Sequence, residues 1–157
     1  MKIDLVLVGK SDQKYLQEGI DIYLKRLKHY CQFEMKVIPD LKSTKSLSEE
    51  QQKEKEGELI ISQIRDSDFV MLLDERGETF SSVGFAQFLE KKQVTGVRKL
   101  SFVIGGPYGF SKEVYAKANA KLSLSAMTFS HQMVRLLFIE QLYRAHTIIN
   151  GEPYHHK

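Results

Sequence analysis

Lys99-Leu100-Ser101-Phe102-Val103-Ile104-Gly105-Gly106-Pro107-Tyr108-Gly109 opens as a buried strand and closes as a glycine turn. Its first six residues are mostly apolar and suit a strand covered on both faces, and the Gly-Gly-Pro that follows cannot continue it. The same pattern recurs on either side. Residues 3–8 form an apolar run closed by Gly9, residues 33–38 alternate apolar and polar before Pro39-Asp40, and residues 69–74 run into the turn sequence Asp74-Glu75-Arg76-Gly77. Leu122 and Leu124 mark a fifth, short strand.

Helical spacing fills the gaps between these strands. From Asp12, the positions Leu16, Ile20, Tyr23, Leu24 and Leu27 recur on one stripe, with Lys25, Arg26 and Lys28 where cations complement the helix dipole. A polar, basic loop over residues 42–48 leads to Ser48, which caps a helix opening on Glu49 and Glu50. That helix is expected to bury Leu59, Ile60 and Ile64, its first half being too polar to pack deeply. Ser81 or Ser82 caps a helix with Phe85, Phe88 and Leu89 on one face. Residues 111–119 form a short helix, and residues 130–150 a long one that is apolar on more than one face. Alternating strands and helices predict an α/β fold, a mostly parallel sheet with helices on both faces. No repeat, linker or low-complexity tract divides it, so residues 1–157 are expected to be one domain.

Composition excludes several classes of function. The chain is 42% hydrophobic and 27% charged, a balance that belongs neither to a disordered nor to a fibrous protein. Its longest apolar runs, 69–73 and 134–139, fall far short of the roughly 20 residues of a membrane helix, and Asp4 interrupts what would be the core of a secretory signal. The single cysteine, Cys31, has no disulfide partner within the chain, and the histidines show no metal-ligand spacing. The expectation is a cytoplasmic protein without metal or membrane. A net charge of +3 permits a polyanionic partner without demanding one.

In parallel sheets, ligands bind at the C-terminal ends of strands. Three loops qualify: those after Asp74, at Gly105 and at Ser125. Glycines after a strand let the backbone approach a ligand, but the 105–109 segment reads equally as a tight turn, and it lacks the lysine of a phosphate-binding loop. Leu124-Ser125-Ala126-Met127-Thr128-Phe129 suits either an adenine pocket or plain core. The final helix carries Arg135, Glu140, Arg144 and His146; Arg144 has a bland reading as a helix-end cation offsetting the dipole. His131 suits a phosphate contact or a backbone cap. The tail 150–157 ends in Pro153-Tyr154-His155-His156-Lys157, which concentrates proton-moving groups where disorder is the ordinary expectation.

Taken together, Gly105-Gly106-Pro107-Tyr108-Gly109, the run from Leu122 to His131, Val134-Arg135, Glu140-Gln141-Leu142-Tyr143-Arg144-Ala145 and Pro153-Tyr154-His155 resemble one family. It is that of the ribosomal large-subunit pseudouridine N3-methyltransferases, the RlmH family, small members of the SPOUT superfamily. The likeness spans essentially the whole chain. It implies a C-terminal trefoil knot, against the physical prior that chains do not thread loops, and an obligate homodimer. It also implies S-adenosylmethionine as methyl donor, held by Leu73, Gly105, Leu124, Ser125, Ala126, Met127, Thr128 and Phe129. Arg144, Tyr154 and His155 match positions near the methyl acceptor.

The acceptor so implied is N3 of a pseudouridine in 23S ribosomal RNA, in the large subunit or the assembled ribosome. An imide nitrogen is a poor nucleophile until its proton leaves, so the expected work is placement and charge control. His155 or Tyr154 is expected to help remove the proton, and Arg144 to stabilise the anionic base or its phosphate. Lys10, Lys25, Arg26, Lys28, Lys42 and Lys45 are candidate phosphate contacts. The alternative from another class is a noncatalytic RNA-binding or ribosome-associated module on the same fold, which needs no cofactor.

Overall fold

The computed structural model describes residues 1–42 and 44–156. Ser43, inside the expected basic loop, and Lys157, at the end of the expected tail, lie outside the described residues. Ten main elements follow in order: β1 (Lys2–Val8), α1 (Lys14–Leu27), β2 (Gln32–Ile38), α2 (Glu49–Ile64), β3 (Phe69–Thr79), α3 (Ser82–Val94), β4 (Lys99–Ile104), α4 (Lys112–Lys117), β5 (Ala120–Ser123) and α5 (Met133–Ile149). The five strands make one sheet in the order β2-β1-β4-β3-β5, with every pairing parallel.

Period-two alternation divides the sheet between two layers of helices. Ile3, Leu5, Leu7, Leu100, Phe102 and Ile104 face α1, α3 and α5, where the Phe102 and Phe138 rings lie 4.7 Å apart. Val6, Val8, Val70, Leu72 and Val103 face α2 and α4, against Ile60, Ile64 and Val114. The helices start where serines satisfy free backbone amides. Ser48 and Gln51 form a reciprocal capping box on α2, Ser81 accepts from the Gly84 amide at 2.9 Å on α3, and Ser111 caps α4.

Four expectations are revised. The strand expected to end at Asp74 continues to Thr79: Leu73 and Glu78 both pair with Leu122, so residues 74–77 bulge out of β3 and the chain returns to the sheet. The turn chemistry was legible, since Asp74 Oδ1 accepts from the Arg76 amide at 2.9 Å. The return is made possible by Gly77, where a Cβ would lie 2.6 Å from backbone carbon of Lys121. Leu59 is 40% exposed, while Glu56 and Gly57 in the polar half of α2 are buried, because the helix crosses the sheet beneath the 105–111 loop. Leu124 lies just beyond β5. Arg135, read as part of a helix surface, is fully buried.

Candidate functional site

The three loops singled out in the sequence line one cavity of about 630 Å³ at the C-terminal ends of β3, β4 and β5, a volume suited to a small-molecule ligand. Residues 73–76, 104–110, 122–125 and 127–131 surround it, joined by Val134 at the start of α5 and Lys53 from α2. Leu73, Gly105, Leu124, Ser125, Met127, Thr128 and Phe129 are therefore together, whereas Ala126 is exposed and outside the lining. The 123–129 loop is fastened from both sides. Ser123 Oγ donates to the Ser125 carbonyl at 2.9 Å, Ser125 Oγ accepts from the Met127 amide at 3.0 Å, and Thr128 Oγ1 donates to Glu75 at 3.0 Å.

Glycine permits close packing at the β4 end. A Cβ on Gly105 would lie 3.0 Å from the Phe110 ring, and one on Gly106 would lie 2.7 Å from Glu56 Oε1. Glu56 is buried beneath this loop with Oε1 unpaired, and burial pushes its carboxyl above the usual carboxylate range although Gln52 opposes the shift. Asp74 behaves in the opposite way. Burial raises its carboxyl, but the Tyr115 hydroxyl, donating at 2.5 Å, and the Arg76 amide outweigh this and hold it below the usual range. Tyr115 in turn is pushed up to about 12 by burial and by that carboxylate. The cavity thus keeps an ionised carboxylate beside apolar walls.

The cavity is pinned to the rest of the molecule by Arg135. Its Nη2 donates to the Val8 carbonyl at 2.7 Å, its Nη1 to the Gly9 carbonyl at 2.8 Å, and its Nε to the His131 carbonyl at 3.2 Å. The end of β1 and the segment entering α5 are locked together by one planar donor set.

Arg144, Tyr154 and His155 gather elsewhere. Arg144 donates through Nη2 and Nε to Glu140 Oε1 at 2.7 and 3.1 Å, and Tyr154 Oη donates to the same oxygen at 2.9 Å. The Tyr23 and Tyr154 hydroxyls lie 3.2 Å apart, Arg144 Nη1 lies 3.1 Å from His155 Nδ1, and the guanidinium stacks over the Tyr154 ring at 4.7 Å. Burial, then Tyr23 and Glu140, push the Tyr154 hydroxyl well above its ordinary range. This cluster does not line the cavity. Val134 and Arg144 are ten residues apart on α5, about 15 Å along its axis.

Glu140, the hub of the tail cluster, and Tyr23, on α1, were given no role in the site by the sequence reading. The four-residue spacing of Glu140 and Arg144 on one helix was the available signal for the first; nothing local points to the second. The candidate phosphate contacts Lys10, Lys25, Arg26, Lys28, Lys42 and Lys45 are all exposed, and Arg26 lies over the rings of Tyr23 and Tyr143 at 5.1 and 5.5 Å.

Residues 1–155 match the family model described as "Predicted SPOUT methyltransferase". Proteins named ribosomal RNA large subunit methyltransferase H from Christiangramia forsetii and Flavobacterium johnsoniae are each 61% identical over 157 residues, and one from Bacteroides fragilis is 55% identical, covering the whole of both chains in every case. Among solved structures, a probable methylase family protein from Haemophilus influenzae aligns with a TM-score of 0.55 at 18% identity, over 99% of this chain and 70% of that one. A probable methyltransferase from Bordetella pertussis aligns at 0.54 and 8% identity, over 91% and 95%. These two share the fold around a parallel sheet, and the family model with the full-length matches settles the lineage: this chain belongs to the SPOUT methyltransferase family.

Proposed function

We propose that this chain, as one methyltransferase domain, transfers a methyl group from S-adenosylmethionine to N3 of a pseudouridine in 23S ribosomal RNA, with the large subunit or assembled ribosome as substrate. The observation that carries the reading is the convergence of three separate strand-end loops on one cavity. The residues there fit the donor. Gly105 and Gly106 let Phe110 and Glu56 pack directly against the loop that lines the cavity, Leu73, Leu124, Met127 and Phe129 supply apolar walls, and Asp74 and Glu75 supply negative charge that suits a sulfonium. When bound, the donor supplies an already activated methyl carbon. The chain's own part is to hold that pocket's shape and to place the donor.

Arg144, Tyr154 and His155 serve the acceptor in this proposal, and their distance from the cavity of the same chain supports a homodimer in which the tail of one copy faces the cavity of the other. The threading of the C-terminal segment through a loop belongs to the same proposal, supported by the adjacency of residues 74–76, 105–109 and 124–131 around the cavity.

The test is mass mapping of methylated nucleosides in ribosomal RNA from cells lacking the protein, before and after the purified protein and S-adenosylmethionine are added to their ribosomes. One methylated pseudouridine should appear in the large-subunit RNA; its absence refutes the reading. Calorimetry gives the second arm. Gly105→Val pushes side-chain atoms toward the Phe110 ring and should abolish donor binding, and retained affinity would mean that the pocket is elsewhere.

A further inference from the structure

The hydrogen bonds around the tail have a fixed direction, set by groups that have only one role. An arginine guanidinium donates and never accepts, and an ionised carboxylate accepts only. Glu140 Oε1 receives Arg144 Nε, Arg144 Nη2 and Tyr154 Oη, and Glu140 Oε2 receives Gln141 Nε2 at 3.1 Å. The Tyr154 proton is therefore committed to Glu140, and in the remaining contact it is Tyr23 that donates to Tyr154. The same logic reaches His155. Arg144 Nη1 points at Nδ1 from 3.1 Å, so Nδ1 is the acceptor and the ring proton sits on Nε2. Among the described residues, Nε2 has no hydrogen-bond partner.

In this arrangement neither Tyr154 nor His155 presents a lone pair placed to take the acceptor's proton. Histidine acting as a base through Nε2 would need its ring proton on Nδ1, aimed at the Arg144 cation. Tyr154 would need to give up a proton already held by a carboxylate.

Resting on the proposed methyl transfer to an imide nitrogen, we infer that His155 is a hydrogen-bond donor through Nε2–H to a carbonyl oxygen of the acceptor imide. Glu140 is its positioning residue, acting through Arg144, and the imide proton leaves to solvent hydroxide. Loss of the N3–H proton forms water and leaves an anion spread over N3 and the flanking carbonyl oxygens. The N3 lone pair then forms the bond to the methyl carbon and leaves the carbon–sulfur electron pair on sulfur. A donor fixed before the charge develops stabilises that anion without reorganising, as in an oxyanion hole. Among the described residues, the charged and titratable groups around His155 are Arg144 and Glu140 from α5, Tyr154 and the adjoining His156 from the tail, and Tyr23 from α1.

The test begins without activity. Long-range proton–nitrogen spectra of the labelled protein should show Nδ1 of His155 as the bare nitrogen and Nε2 as the protonated one. Glu140→Gln, which loosens Arg144, should move population toward the other tautomer and lower kcat with KM for the donor unchanged. A wild-type ring protonated on Nδ1 overturns the inference.

Kinetics on ribosomes lacking the methyl group give the second arm. His155→Gln places an amide donor near the Nε2 position and should keep kcat within about tenfold of wild type, whereas His155→Ala should lose about 10²-fold. The wild-type rate should rise with pH at unit slope through the histidine range. A glutamine variant as inactive as the alanine one, with a wild-type profile that breaks in the histidine range, makes His155 the base and overturns the inference. Failure of wild type to methylate any ribosomal substrate instead removes the proposed function, and the inference with it.

Discussion

Replacing Arg135 with Met tests how the cavity is held together. The guanidinium is fully buried and makes two short bonds to main-chain carbonyls, 2.7 Å to Val8 and 2.8 Å to Gly9, with longer ones to Ser11 and the His131 carbonyl. Hydrogen bonds from a charged donor contribute about 1.5–3 kcal/mol each, so the two short ones are worth about 3–6 kcal/mol before offsets. Part of that is returned, because burial of the cation without a direct carboxylate partner is itself unfavourable and depresses its proton affinity. The net loss expected for Arg135→Met is about 2–4 kcal/mol. With a urea slope of about 1–3 kcal/mol per molar, the unfolding midpoint should fall by roughly 1 M or more at unchanged slope. Arg135→Lys should fall between the two, since an ammonium cannot span both carbonyls. Donor affinity measured by calorimetry should drop in the Met variant under conditions where it remains folded, because His131 and Val134 line the cavity next to the lost bonds. A midpoint equal to wild type would refute the reasoning, since the Val8 and Gly9 carbonyls would then have other partners.

Two further perturbations probe the sheet and its pH response. Gly77→Ala sets a Cβ within 2.6–2.8 Å of the Lys121 and Leu122 backbone, which has no flexible end to yield, so a loss of about 2–3 kcal/mol is expected in thermal unfolding; an unchanged midpoint would mean that residues 74–79 do not return to β5. His146 has its Nε2 buried and unpaired, and burial holds its proton affinity below the ordinary histidine value. The unfolded chain therefore takes up a proton first as pH falls through about 6.5, and stability declines from there until the folded-state value is passed. His146→Leu should flatten that decline in melting curves taken between neutral and mildly acidic pH, and an identical pH slope in the variant would assign the decline to other groups.

What the sequence determined by itself was local. Strand β4 ended at Ile104 because Gly-Gly-Pro cannot extend a ladder, α2 began after Ser48 because a hydroxyl there satisfies orphan amides, and the nearly continuous apolar run of β1 announced a strand covered on both faces. The three strand-end loops that line the cavity were legible for the same reason, since strand ends and glycine turns are written in adjacent residues. Tertiary structure alone decided the strand order, the return of β3 past Gly77, the burial of Arg135 and the meeting of Tyr23 with Tyr154 across 131 positions. Each of these depends on partners far apart in the chain. Local periodicity says which face of an element is apolar, but which neighbour covers that face is chosen by packing the whole sheet, so a buried arginine and a surface one look alike until the carbonyls it must satisfy are in place.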